Sequence, residues 1–194
     1  MAKKVITKKI ALKKKKKYWV PILATREFDY MEIGESLVAE PSSLVGKKVV
    51  VNFMHLTNDI KKQNTKLHFK VKEVKEDKAY TEIVGLEMVE AYIKRVIKKS
   101  REKLDDSMQV ITKDEVKVQV KSLIITRNQT KGSILALLRK KAREMLIALA
   151  KENTYDAFID MLLTNELQRK MRDTLKKIYP IAVSEIRILQ KLSA

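Results

Sequence analysis

Residues that make and break bonds are sparse in this chain. His55 and His68 are its only imidazoles, and cysteine is absent, which excludes disulfides and thiolate metal sites. His55 lies just after an expected strand, and His68 projects from the polar face of another. With no acidic pair nearby in sequence, both read as surface or packing residues. Asp105-Asp106 is an acidic pair, but neighbours on a strand point apart, and its place after an expected helix suggests a solvated turn. The four glycines (34, 46, 85 and 132) are too scattered to cradle a phosphate. No catalytic residue, metal ligand or cofactor is expected, and the chain reads as a non-enzyme.

Cationic groups are plentiful. Lys13, Lys14, Lys15, Lys16 and Lys17 are consecutive; they repel one another and resist burial, so the segment is expected to stay disordered until a polyanion neutralises it. The segment from Ser122 to Arg143 carries Arg127, Lys131, Arg139, Lys140, Lys141 and Arg143 and no acid. A merely soluble helix face would interleave glutamates, so phosphate contact is favoured here. Its Gln129-Thr130-Lys131-Gly132 loop also leads into an expected helix N-terminus, where free N–H groups favour anions. Lys94, Arg95, Lys98 and Lys99 form a similar face that Glu90 and Glu102 dilute, and Lys61 and Lys62 sit in a polar loop. Tyr18 and Trp19 could stack on bases, but their neighbours Val20, Ile22 and Leu23 favour anchoring in the core.

The whole composition agrees. Forty-two basic residues against 24 acidic give a net charge of +18, and nine of those lysines fall within residues 1–17, which hold no acid. Half the excess charge is therefore in a tail and half is spread over a fold, which points to nucleic acid as the partner. At 45% hydrophobic residues the chain can build a real core. No apolar run approaches the roughly 20 residues that a membrane crossing needs, and the basic N-terminus lacks the apolar run of a signal peptide. A soluble, cytoplasmic protein without a membrane partner is expected.

The elements that must position these groups are of mixed type. Tyr18 to Phe28 reads as an extended edge piece, Glu32 to Glu35 as a turn, and Pro41 to Gly46 as one helical turn. Lys48 to Phe53 reads as a strand and Asn58 to Thr65 as a loop. Leu67, Phe69 and Val71 alternate with His68, Lys70 and Lys72, predicting a half-buried strand that returns over Ala79 to Leu86 as a hairpin. Val89, Ile93, Val96, Ile97 and Leu104 predict a helix; Met108 to Thr112 and Val116 to Thr126 predict two strands. Helices are expected over 134–151 and 154–163 and from Thr164 to Tyr179, with a last strand over 183–192. The expected fold class is α+β in three parts: a basic arm over 1–17, a mainly β core with one helix over 18–126, and a mainly helical part over 127–194, ending in a strand and packed on the same core.

Several stretches together resemble a known family. They are Lys15-Lys16-Lys17-Tyr18-Trp19-Val20-Pro21-Ile22-Leu23-Ala24, then Ile33-Gly34-Glu35, Pro41-Ser42-Ser43-Leu44-Val45-Gly46 and Leu56-Thr57-Asn58-Asp59. Val116 to Arg127, with Leu123-Ile124-Ile125-Thr126 near its end, and the late Tyr179-Pro180 before a strand complete the set. Their order and spacing resemble the small-subunit ribosomal protein eS-one (S-three-Ae) family of archaea and eukaryotes, and the short chain is closer to archaeal members. The resemblance implies a β-barrel-like core with flanking C-terminal helices. It also implies binding to small-subunit rRNA near its 3′ end, on the platform by the mRNA exit, beside neighbouring small-subunit ribosomal proteins and the mRNA itself. The competing expectation is a free-standing RNA-binding translation or RNA-processing factor.

Overall fold

Period-two patterning becomes a long hairpin. Strand β4 (Thr65–Lys75) buries Leu67, Phe69 and Val71, as the alternation requires, and turns through Glu76 and Asp77, both at positive φ, into β5 (Lys78–Met88). The computed structural model to which they belong describes residues 16–192, so Lys13, Lys14, Lys15 and most of the expected disordered arm lie outside the described residues. The other strands are β1 (Tyr18–Leu23), β2 (Glu32–Val38), β3 (Lys48–Asn52), β6 (Lys103–Ile111), β7 (Lys117–Thr126) and β8 (Ile181–Lys191). The helices are α1 (Phe53–Thr57), α2 (Glu90–Val96), α3 (Gly132–Glu152), α4 (Tyr155–Leu163) and α5 (Glu166–Lys176). This is an α+β chain whose longer helices lie toward its C-terminus. Among the described residues, no helix is long and apolar enough to cross a membrane.

Two compact units are present, one holding the described residues up to Lys47 with Val71–Thr81, the other Lys48–Lys70 and the chain from Glu82 onward. In the first, β1 pairs antiparallel with β2, and its Ile22 and Leu23 run parallel beside Ala79 and Tyr80. The segment 32–35, expected as a turn, is strand: Ile22 faces Gly34 while Leu23 faces Glu32, so Ile33 is the extra residue of a bulge. β1 is accordingly not an edge. The expected helical turn is present as a 3-10 turn over Pro41–Leu44 that buries Leu44; Gly46 follows at φ +85°, its N–H donating to Val71 O.

In the second unit β7 lies between β6 and β8, antiparallel to both. Its Leu123 and Ile125 pack with Met88 and with Ile93 of α2. Ser122, Ile124 and Thr126 point the other way and are buried too, so this strand is covered on both faces. The helix expected to reach Leu104 stops at Val96, because residues from Lys103 onward pair with β7. Cross-strand pairing overrides a helical spacing that Leu104 matched by coincidence.

The strand path runs β2-β1-β5-β8-β7-β6, with β4 also on β5 and β3 on β4. Closure would require its two end strands to pair. Among the described residues β2 pairs with β1 and β6 with β7, so the path is an open sheet and the expected barrel-like closure is not found.

Candidate nucleic-acid interface

Two basic segments that are remote in sequence converge at one end of the β6–β7 ladder. Thr126 N–H donates to Glu102 O (3.0 Å), and Glu102 N–H donates to the Thr126 hydroxyl (3.0 Å), which itself donates to Asn128 O (2.7 Å). These bonds place Lys99 and Ser100 beside Asn128 and Gln129 around one shallow depression. The loop after β7 is pinned from below as well: Arg127 N–H donates to Pro180 O and the Tyr179 hydroxyl to Gln129 O, both at 3.0 Å. Arg127 and Lys131 are exposed on that loop, while Lys94, Arg95, Lys98 and Lys99 are exposed on and after α2. Lys131 precedes α3 in extended geometry and no side chain caps the helix, leaving its first amides open to an acceptor.

Further along α3 the picture differs from the sequence expectation. Arg139, Lys140 and Arg143 are exposed. Asp106, however, is not in a solvated turn. It lies within β6, 8% exposed, and its carboxylate accepts from Nε and Nη2 of Arg143, with Arg139 Nε at 3.9 Å. The acid that residues 122–143 lack is thus supplied by another strand. Lys141 pairs with Glu144 at 3.2 Å.

A second concave surface gathers Lys61 and Lys62 with two arginines that the sequence reading missed, Arg169 and Arg172 of α5. Their i, i+3 spacing puts them on one stripe of an amphipathic helix whose buried stripe is Leu167, Met171 and Leu175, the signal from which they could have been found. This cleft has a volume of about 300 Å³. Lys62 Nζ lies 4.4 Å from the centre of the Phe53 ring, and the Arg95 guanidinium lies 5.5 Å from that of Tyr92, so both rings hold cations close by. Arg95 also donates to Asn64 Oδ1 at 3.4 Å. Gln168 and Ser184, both buried, are also among the lining residues, and burial pushes the Glu185 carboxyl up to about 7 against the opposing charge of Arg172.

His68 proves half-buried and 3.3 Å from Glu87, a carboxylate far away in sequence. Among the described residues, no three side chains of metal-ligating type come together. In the N-terminal unit Lys16 and Lys17 are exposed, and so is Trp19 at 62%, opposite Leu37 on β2. The anchoring expected of Trp19 is done instead by Val20, Ile22 and Ala24. Strand alternation sends residue 19 to the face opposite Val20.

Comparison with known proteins bears on what these surfaces serve. Residues 6–193 match the family described as Ribosomal S3Ae family. The chain belongs to that family. Among its relatives, the small ribosomal subunit protein eS1 of Methanobrevibacter smithii is 31% identical over 186 residues, covering 96% of each chain. The protein of that name from Halorubrum lacusprofundi is 29% identical over 180 residues, 93% of this chain and 84% of the relative. That from Archaeoglobus fulgidus is 31% identical over 179 residues, 91% and 85% respectively. All three relatives are archaeal.

The stretches that carry the family resemblance have structural jobs in this S3Ae-family chain. Asn58 adopts left-handed geometry to end α1, and Asp59 accepts from Lys61 N–H at 3.0 Å, so Leu56-Thr57-Asn58-Asp59 sets the approach of Lys61 and Lys62 to the cleft. Tyr179-Pro180 supports the Arg127 loop through the two hydrogen bonds already described. These two stretches, 56–59 and 179–180, position basic groups and contain no lysine or arginine themselves.

Proposed function

We propose that the protein is a structural, non-enzymatic constituent of the small ribosomal subunit in the cytoplasm, binding small-subunit rRNA and supporting translation. The observation that carries this reading is the family match over residues 6–193, with relatives named as small-subunit proteins along nearly their whole length. The resemblance of the motifs adds the finer position, on the platform near the mRNA exit and the 3′ end of the rRNA, beside neighbouring ribosomal proteins and the mRNA. The mechanism is electrostatic. Lys98, Lys99, Arg127 and Lys131, presented on the pinned end of the β6–β7 ladder, neutralise phosphates and release condensed counterions; Lys140 on α3 and the Lys13–Lys17 run add to that charge. Lysine and arginine do this without a cofactor.

The test is the salt dependence of affinity for a fragment of small-subunit rRNA from near the 3′ end. Each phosphate contact contributes about 0.7–0.9 to the slope of log affinity against log salt concentration. Replacing Lys98, Lys99, Arg127 and Lys131 together by alanine is expected to flatten the slope by about three units. An unchanged slope would remove this surface from the interface. Deleting residues 1–12 keeps the lysine run and reports any separate contribution of the distal arm.

A further inference from the structure

Trp19 is the only tryptophan of the chain, and the fold leaves it 62% exposed although its neighbour Val20 is completely buried. The outward face of β1 sets it beside Leu37, its cross-strand partner on β2, which is 45% exposed. Pro21 and Leu23 continue that face by alternation, and Tyr80 joins it next to Leu23, in the parallel register with β5. Tyr80 is half-buried, and the Tyr30 ring meets it edge-on with centroids 5.9 Å apart. Among the described residues, by contrast, no ring or cation is paired with Trp19. Its indole is open to a ligand.

Charge decides what can cover this face. Lys16 and Lys17, both exposed, lead directly into β1, and they end a run of five lysines in a segment, 1–17, that holds no acid. Lys78 is exposed one residue before the buried Ala79, so it shares the side of Tyr80. Glu35 and Glu32 lie on the β2 margin, opposite Pro21 and Leu23, and turn a polyanion toward the lysines. A second copy of this chain would bring its own excess of positive charge and be repelled. An acidic protein would pair with the lysines but offers the indole no regular supply of flat rings. A single-stranded nucleic acid brings both at every unit, a phosphate for the lysines and a base for the ring. A duplex does not, because its bases are already stacked on one another.

We propose that Trp19, flanked by Leu37, is a stacking platform for an unpaired base of an RNA strand whose phosphates lie on Lys16 and Lys17. The assignment rests on the RNA-binding reading above. It adds to that reading a contact that tells single strands from duplexes, whereas the ladder-end surface contributes backbone charge alone. Stacking of this kind is tolerant of sequence, since every base has a π-face.

Because Trp19 is unique, its fluorescence, excited selectively, reports on this site alone. The full chain is titrated with oligouridylate, oligoadenylate, a hairpin-closed RNA duplex and inorganic polyphosphate, and emission and affinity are read together at several salt concentrations. Both single strands should quench the tryptophan, while the duplex and polyphosphate bind with little quenching. Trp19→Ala should weaken the single strands by about 5- to 150-fold, the range for one stacked base, and leave polyphosphate affinity and the salt slope unchanged. Trp19→Phe should recover part of that loss, because a smaller ring still stacks. Lys16→Gln with Lys17→Gln should weaken all four ligands and flatten the slope by between about one and two units. The contrast in quenching is read on the parent chain, so it decides the matter even if a variant folds poorly. Equal quenching by polyphosphate, or single-strand affinity that Trp19→Ala leaves intact, would overturn the proposal and leave the face to a protein partner. Steep, salt-dependent binding of the rRNA fragment without quenching by any single strand would sink the platform alone. Quenching and Trp19-dependent binding of single strands by a chain that does not bind the rRNA fragment would sink the rRNA reading alone.

Discussion

Asp106 occupies a buried position on β6 while Arg143 and Arg139, its partners, are half in solvent. That asymmetry decides which substitution hurts. Arg143→Ala strands a buried carboxylate, and with Arg139 near enough to compensate in part the loss should be about 2–3 kcal/mol, at or below the low end for a broken buried pair. Asp106→Asn leaves only solvated guanidiniums and should cost about 1–2 kcal/mol. Urea denaturation checks the order, and a costlier Asp106→Asn would contradict it. Glu185 makes a pH prediction. Its folded value near 7 lies above the ordinary 4.5, so the folded chain keeps a proton that the unfolded chain releases. The contribution of Glu185 to stability then falls as pH rises from about 4.5 to about 7, by on the order of 3 kcal/mol, and is constant above and below that window. The charged groups lining the cleft with Glu185 are Lys61 and Lys62 beside β4 and Arg169 and Arg172 of α5. Glu185→Gln should remove this part of the slope, and a variant with the parent's full slope would place the buried proton elsewhere. Neither group was legible in the sequence: the partners of Asp106 are 33 and 37 residues away, and the desolvation of Glu185 depends on packing by α5.

Elements were legible wherever one period ran long enough. The β4–β5 hairpin, β7 and the three C-terminal helices follow their patterns, and Leu67, Phe69 and Val71 are inward as the alternation predicts. Patterns failed where the inward face carries a charge or a bulge intervenes. Asp106 interrupts the apolar series of Leu104, Met108 and Val110, hiding the start of β6, and the Ile33 bulge disguises β2 as a turn. In β8 a bulge at Arg187, between the pairs Lys121–Ile188 and Ser122–Ile186, shifts burial from Ile186 to Leu189 instead of Ile188. Phe69 is fully buried, so Phe69→Ala should cost about 3–5 kcal/mol. A thermal unfolding loss worth under about 1 kcal/mol would show that the site collapses around the smaller side chain. Gly85 tests the β5–β8 seam: a Cβ there would stand 2.6 Å from Leu189 O, a backbone atom that cannot rotate away. Gly85→Ala should therefore destabilise by about 1–3 kcal/mol, and a neutral result would mean that the strands separate freely.

Across the whole molecule the charge was visible from composition, but its arrangement was not. The sequence shows acid-free and lysine-rich stretches; pairing of Lys103 with Ile125 is what brings the Lys98–Lys99 turn to the Arg127 loop. The strand path itself is open among the described residues, which valine-rich segments cannot distinguish from a closed one, since both bury alternate residues. The central claim, that this chain is an integral part of the small ribosomal subunit, is tested most directly by sedimentation of native ribosomes from the source cells through sucrose at rising salt. Loss of loosely held factors at high salt is expected, because exposed charge contacts are screened. The account predicts that the protein stays in the small-subunit fractions at about one copy per subunit after that wash. Release to the top of the gradient while known ribosomal proteins remain in place would contradict it and indicate a free-standing RNA-binding factor.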